Sequence, residues 1–130
     1  MGVSQGQIDQ ALELLDGLGP LRFKRMFGAV GLYCDDLFFA VLDEETLYFK
    51  VDAENEPLFR EAGSTPFTFE QNGETVAMGY WRIPEAAMDD SEEAVRWARL
   101  GVDAALRARA RKPKPKPKTV KPVSLKKSST

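Results

Sequence analysis

The stretch 25–51, RMFGAVGLYCDDLFFAVLDEETLYFKV, leaves this chain little choice of fold. It holds three short apolar runs divided by two acidic turns. In 26–34, Met26, Val30, Leu32 and Cys34 fall on one side at a period of two, and Phe27, Ala29 and Tyr33 fall on the other. The run 37–42 contains no polar residue, the pattern of a central strand buried on both faces. In 46–51, Leu47, Phe49 and Val51 point inward and alternate with Tyr48 and Lys50 pointing outward. Asp35-Asp36 and Asp43-Glu44-Glu45 are the only reversal points, so the stretch predicts a three-stranded antiparallel meander.

The flanks supply the second layer. Ser4 and Gln7 form a capping box, and Ile8, Ala11, Leu12, Leu15 and Leu18 then recur at helical spacing, which predicts a helix over 5–17. Residues 21–24 read as a link. Arg22, Lys24 and Arg25 beside it are read as a solvated edge, with an anion or partner contact as the functional alternative. Residues 53–62 predict a short helix with Pro57 in its first turn, Gly63 as a left-handed cap, and Leu58 and Phe59 buried. Asn72-Gly73 between 66–71 and 74–83 is a hairpin signal. Val76, Met78 and Tyr80 are expected on one face of it, with Ala77, Trp81 and Ile83 on the other. Asp90 and Glu93 open a last helix whose apolar face is Val95, Ala98, Val102, Ala105 and Leu106, with Arg99, Arg107, Arg109 and Arg111 towards its C-terminus. The order α-β-β-β-α-β-β-α predicts an α+β fold of two layers, an antiparallel five-stranded sheet with helices on one face.

Composition narrows the function. The chain has no histidine and a single cysteine, Cys34, so it lacks the usual general base, every Ser-His or Cys-His pair, an internal disulfide and a cysteine-built zinc site. Gly28-x-x-Gly31 lies inside a strand and is not a phosphate loop, and the acidic turns lack the ligand spacing of a calcium loop. No catalytic residue, metal or cofactor is therefore expected. Without a signal peptide or a long apolar window, the expected place is the cytoplasm. Beside Asp35 and Asp36, Cys34 is expected to be a packed, unreactive thiol.

Charge divides the chain. Residues 1–106 hold 8 basic and 20 acidic residues, a net of −12, whereas 107–130 hold ten basic residues and no acid. A domain over 1–110 followed by an extended, disordered Lys/Pro-rich tail over 111–130 is the expected organisation. Arg109, Arg111, Lys112, Lys114, Lys116, Lys118, Lys121, Lys126 and Lys127 are candidates for non-specific contact with DNA or RNA phosphates. The alternatives are a solubility tail and a tail folded back on its own acidic body. Among the strand residues, Arg25, Phe27, Tyr33, Tyr48, Lys50, Tyr80 and Trp81 are candidates for a protein interface. The negative body disfavours nucleic acid there. A partner protein, or a homodimer through the outward sheet face or its edge, is the functional reading, and scattered surface aromatics the plain one.

The ordered set Arg25-Met26-Phe27-Gly28, Gly31-Leu32-Tyr33, Leu47-Tyr48-Phe49-Lys50, Ala62-Gly63-Ser64 before Pro66-Phe67, Met78-Gly79-Tyr80-Trp81 and Trp97-Ala98-Arg99 resembles the N-terminal domain of the TfoX/Sxy proteins, regulators of competence genes. The resemblance covers about three quarters of the chain. It implies a small α+β domain akin to secretion chaperones, a regulatory or interaction role and no catalytic residue. Two departures accompany it. Gly79 stands where the small polar Ser is expected, and the Lys/Pro-rich text follows in place of the family's helical C-terminal domain, as in a stand-alone copy. The non-enzymatic regulatory reading thus stands beside the alternative of a nucleic-acid accessory protein acting through its tail.

Overall fold

The computed structural model describes residues 3–26 and 28–111, with the side chains of 69–71 and 75–78 outside that description. Six strands, β1 (Leu21–Met26), β2 (Ala29–Cys34), β3 (Leu37–Asp43), β4 (Thr46–Lys50), β5 (Pro66–Gln71) and β6 (Glu74–Arg82), form one antiparallel sheet in the order β1-β2-β3-β4-β6-β5. Helices α1 (Gln5–Leu14), α2 (Glu56–Glu61) and α3 (Ser91–Arg111) complete an α+β fold.

The meander is present as β2, β3 and β4, and the sheet has six strands where five were expected. The extra one is the supposed link: β1 pairs with β2 from Leu21↔Cys34 to Met26↔Ala29. Three cations in six residues made this segment read as a connection, but an edge strand tolerates charge because one side of it meets water. Met26 consequently belongs to β1 and not to the next strand.

Two of the two-residue turns, Asp35-Asp36 and Asn72-Gly73, have positive φ at both residues, as a right-twisted hairpin favours. Asp35 and Asp36 take φ of 52° and 64°, and Asn72 and Gly73 take 54° and 81°. β3 is the central strand, with Leu37, Phe39, Ala40, Val41 and Leu42 buried. Its register against β2 slips between Tyr33↔Phe38 and Leu32↔Ala40, so Phe39 is an extra, bulged residue. Phe39 lies on the helix face, stacked 6.4 Å from Phe49, while Phe38 lies on the opposite face 5.1 Å from Tyr33.

The capping box of α1 forms as expected: Gln7 N–H donates to Ser4 Oγ at 3.1 Å, and Ser4 N–H to Gln7 Oε1 at 2.9 Å. The helix ends at Leu14, before the expected 17, and passes into a tight turn at Asp16–Leu18. Asp90 caps α3, accepting from the N–H groups of Glu92 and Glu93. The buried stripe of α3 is Ala94, Ala98, Gly101, Ala104 and Ala105. Leu106, expected inside, is 43% exposed because the helix presents this small-residue stripe to the sheet. In α2 a single turn can bury only one of two adjacent side chains: Phe59 packs edge-on against Trp97 at 4.8 Å, and Leu58 stays 46% exposed. The expected facing of Val76, Ala77 and Met78 lies outside the described residues.

Loop 51–55 is fastened to α3 by polar groups. Asn55, only 2% exposed, accepts from Asp52 N–H at 2.9 Å and donates to the carbonyls of Lys50 at 3.3 Å and Leu100 at 2.9 Å. Arg107 grips Asp52 with two bonds, Nε to Oδ2 at 2.7 Å and the terminal nitrogen to Oδ1 at 2.9 Å. The Arg107 hydrogen bond, ahead of the opposing effect of burial, holds the Asp52 carboxyl below its usual value of 3.8.

Two outcomes follow from this packing. A β-carbon at Gly101 would lie 3.0 Å from the Phe39 carbonyl oxygen and 3.3 Å from Lys50 N, and backbone atoms yield little. Gly101→Ala should therefore destabilise by about 1–2 kcal/mol in chemical denaturation, since overpacking of about 1–3 kcal/mol outweighs the roughly 1 kcal/mol helix preference for Ala. A more stable variant would disprove the close approach. Asp52→Asn should cost about 1–2 kcal/mol at pH 7. Because the folded pKa is depressed, this stabilisation is present above the unfolded value of 3.8 and is lost as pH falls through the folded value, so the gap to wild type should close in acid. A gap independent of pH would refute the ion-pair contribution.

Candidate interaction surface

Strand alternation sorts the exposed chemistry of the sheet onto the face opposite the helices. Arg22 and Lys24 of β1, Tyr33 of β2, Phe38 and Val41 of β3, Tyr48 and Lys50 of β4 and Arg82 of β6 share it, as the pairings Arg22↔Tyr33, Val41↔Tyr48 and Tyr48↔Arg82 require. Tyr33, Phe38 and Tyr80 make a row, with ring centroids 5.1 and 5.7 Å apart. The Arg22 guanidinium stands 5.5 Å from the Tyr33 ring and the Lys50 ammonium 5.4 Å from the Tyr80 ring, so a cation closes each end. Beside the row, Tyr48 packs on Phe67 at 4.5 Å.

A β-carbon at Gly31 would come within 2.7 Å of Met26 Cε and 2.9 Å of Phe38 Cε1. Glycine there lets these side chains lie flat on the strand; Gly28, expected inside the same strand, instead stands in the turn before β2 with φ of 84°.

Of the residues singled out in the sequence, the structure brings Tyr33, Tyr48, Lys50 and Tyr80 onto this one face. It does not bring the others. Arg25 points to the helix side and donates to the Val3 carbonyl at 2.7 Å. Trp81, opposite Phe49, is buried in the core with the Arg60 guanidinium 5.2 Å from its ring. Phe27 lies outside the described residues, as do Lys112, Lys114, Lys116, Lys118, Lys121, Lys126 and Lys127. Arg109 and Arg111 are exposed on the last turn of α3. Arg107, read in the sequence as a cation near the C-terminus of the last helix, is tied to Asp52. Phe38 and Phe67 were missed, and Arg22 was read as part of a solvated edge with an anion or partner contact as the alternative. Phe38 sits in an all-apolar run with no alternation to mark its facing, and Arg22 declares itself only once β1 is a strand. Cys34 is 8% exposed, and burial, then Asp35, pushes its thiol pKa up, as an unreactive packed thiol requires.

The face is polar at its edges and dry at its centre. Tyr80 is 8% exposed, and burial, with Tyr33 beside it, pushes its phenol up to about 12. Ultraviolet titration should resolve one of the three tyrosines as a late step that Tyr80→Phe removes. Three tyrosines ionising together near the ordinary value of about 10 would place Tyr80 in water.

No described helix is long and apolar enough to cross a membrane. Protein Sxy of Escherichia coli (strain K12) is 25% identical to this chain over 107 residues, covering 82% of this chain and 51% of that protein, so the chain spans about half the length of this relative. The model of the TfoX N-terminal domain family matches residues 13–105. With the ordered motifs, the α+β architecture and this match in agreement, the chain belongs to the TfoX N-terminal domain family.

Proposed function

We propose that this domain is a non-enzymatic regulatory module, linked to transcription or competence, that binds an acidic protein segment through the helix-free face of its sheet. The observation that carries the reading is charge segregation. Residues 1–106 have a net charge of −12, yet four of their eight cations, Lys24, Lys50, Arg82 and Arg22 (the last paired with Asp36), stand on this one face around half-buried aromatic rings. Aromatic and arginine side chains are the groups that anchor protein interfaces, and a cationic rim selects acidic partners. The same four cations oppose the homodimer expected through this face, because a two-fold axis would set like charges against one another. The family supports a regulatory role, and the sequence offers no nucleophile–base pair for chemistry.

Affinity capture from the lysate of the source cells tests the reading. Arg22→Glu with Lys50→Glu should lose the partners that the wild-type chain retains, with an unchanged circular dichroism spectrum, because both side chains lie at the surface. Capture of the same proteins by both chains would sink the proposal. So would a wild-type dimer in sedimentation that Lys50→Glu dissociates, since the face would then belong to a second copy.

A further inference from the structure

We infer that the segment 112–130 docks, in the same chain, into the acid-rimmed groove between α1, the β3–β4 turn and the residues preceding α3. This goes beyond the proposed partner face, which lies on the other side of the sheet. The groove has a volume of about 890 Å³. Leu42, Leu47 and Met88 give it an apolar floor, and Glu13, Glu45 and Asp89 stand on its rim. Among the described residues, no lysine or arginine lines it. Leu42 and Leu47 are almost fully buried, while Met88 is 37% exposed, so apolar surface remains open there.

The segment that follows α3 is its chemical complement. It holds seven lysines and no acid, and its only large apolar residues, Val120, Val123 and Leu125, are interleaved with Lys121, Lys126 and Lys127. In a polyproline II chain, three residues make one turn, so Val120 and Val123 share a side. That side fits the apolar floor, while the neighbouring lysines meet the carboxylate rim.

Length permits the contact. The Ser91 end of α3 lies at the groove, where Ser91 Oγ donates to the Leu14 carbonyl at 2.8 Å. The 21 residues of α3 carry Arg111 about 30 Å away at 1.5 Å per residue. Residues 112–119, extended at about 3.1 Å each, span roughly 25 Å, and the next few complete the return. A tethered segment also meets its site at an effective concentration in the millimolar range, which favours it over a free peptide of the same sequence. While it is docked, its lysines face carboxylates and are withheld from phosphate.

Amide resonances of the full chain test this directly. Lys121→Glu with Lys126→Glu and Lys127→Glu should shift the resonances around Glu13, Glu45 and Met88 and leave β1 and the sheet face unmoved. Raising salt to about 1 M, where the screening length is ~3 Å, should move the wild-type signals the same way. Glu13→Lys with Glu45→Lys, both at exposed positions, should abolish the difference, and combining the two sets should restore it by exchanging the charges. Unmoved groove resonances would overturn the inference. So would shifts on the sheet face, or groove shifts that fade on dilution, because dilution separates copies and leaves a tethered contact intact.

Discussion

At Gly101 the third helix meets the sheet backbone to backbone. The Phe39 carbonyl oxygen and Lys50 N occupy the space that a β-carbon would need, and Phe49 Cβ closes the third side at 3.2 Å. Ala94, Ala98 and Ala105 extend this small stripe along the helix, so the layers interlock through the large side chains of the sheet, Phe39 and Phe49 above all. The bulge at Phe39 belongs to the same arrangement. One extra residue in β3 sends Phe39 to the helix side and leaves Phe38 to the opposite face. The helix seat and the aromatic row on the far face thus share one local distortion.

That seat also determines where buried polar groups find partners. With α3 held down at Gly101, the Leu100 carbonyl comes within reach of the Asn55 amide, and one further stretch of helix brings Arg107 to Asp52. Asn55 is the one polar residue described as buried, and the oxygen and nitrogen of its amide both find backbone partners. The pair at Asp52 is bidentate and partly shielded from water, so its geometry is worth more than that of the exposed pairs Arg22–Asp36 and Arg96–Glu93. It assigns Arg107 to the fold and leaves Arg109 and Arg111 as the first free-standing cations of the C-terminal basic run.

The two sides of the molecule carry opposite chemistry. The helix side bears the acid-rimmed groove, and the helix-free side gathers half the cations of residues 1–106 around aromatic rings. A chain of nearly balanced total charge therefore presents two surfaces of opposite character.

Sequence alone determined whatever depends on neighbours in the chain: the meander, because period-two alternation and paired turn residues are local; the caps at Ser4 and Asp90; the hairpin at Asn72-Gly73; and the family, because its motifs are short ordered words. Of the candidate surface, Tyr33, Tyr48, Lys50 and Tyr80 were legible by alternation. The tertiary structure decided the rest. The pairing of β1 with its neighbour β2 is hidden because a cation-rich edge strand shows no apolar alternation. The burial of Trp81 and the exposure of Leu106 depend on the seat of α3, and the inward turn of Phe39 on a bulge that no apolar run can announce. The role of Arg107 depends on an acid 55 residues distant. The burial of Trp81, the exposure of Leu106 and the role of Arg107 rest on contacts between segments far apart in the chain, where propensity and spacing carry no information and packing selects the outcome.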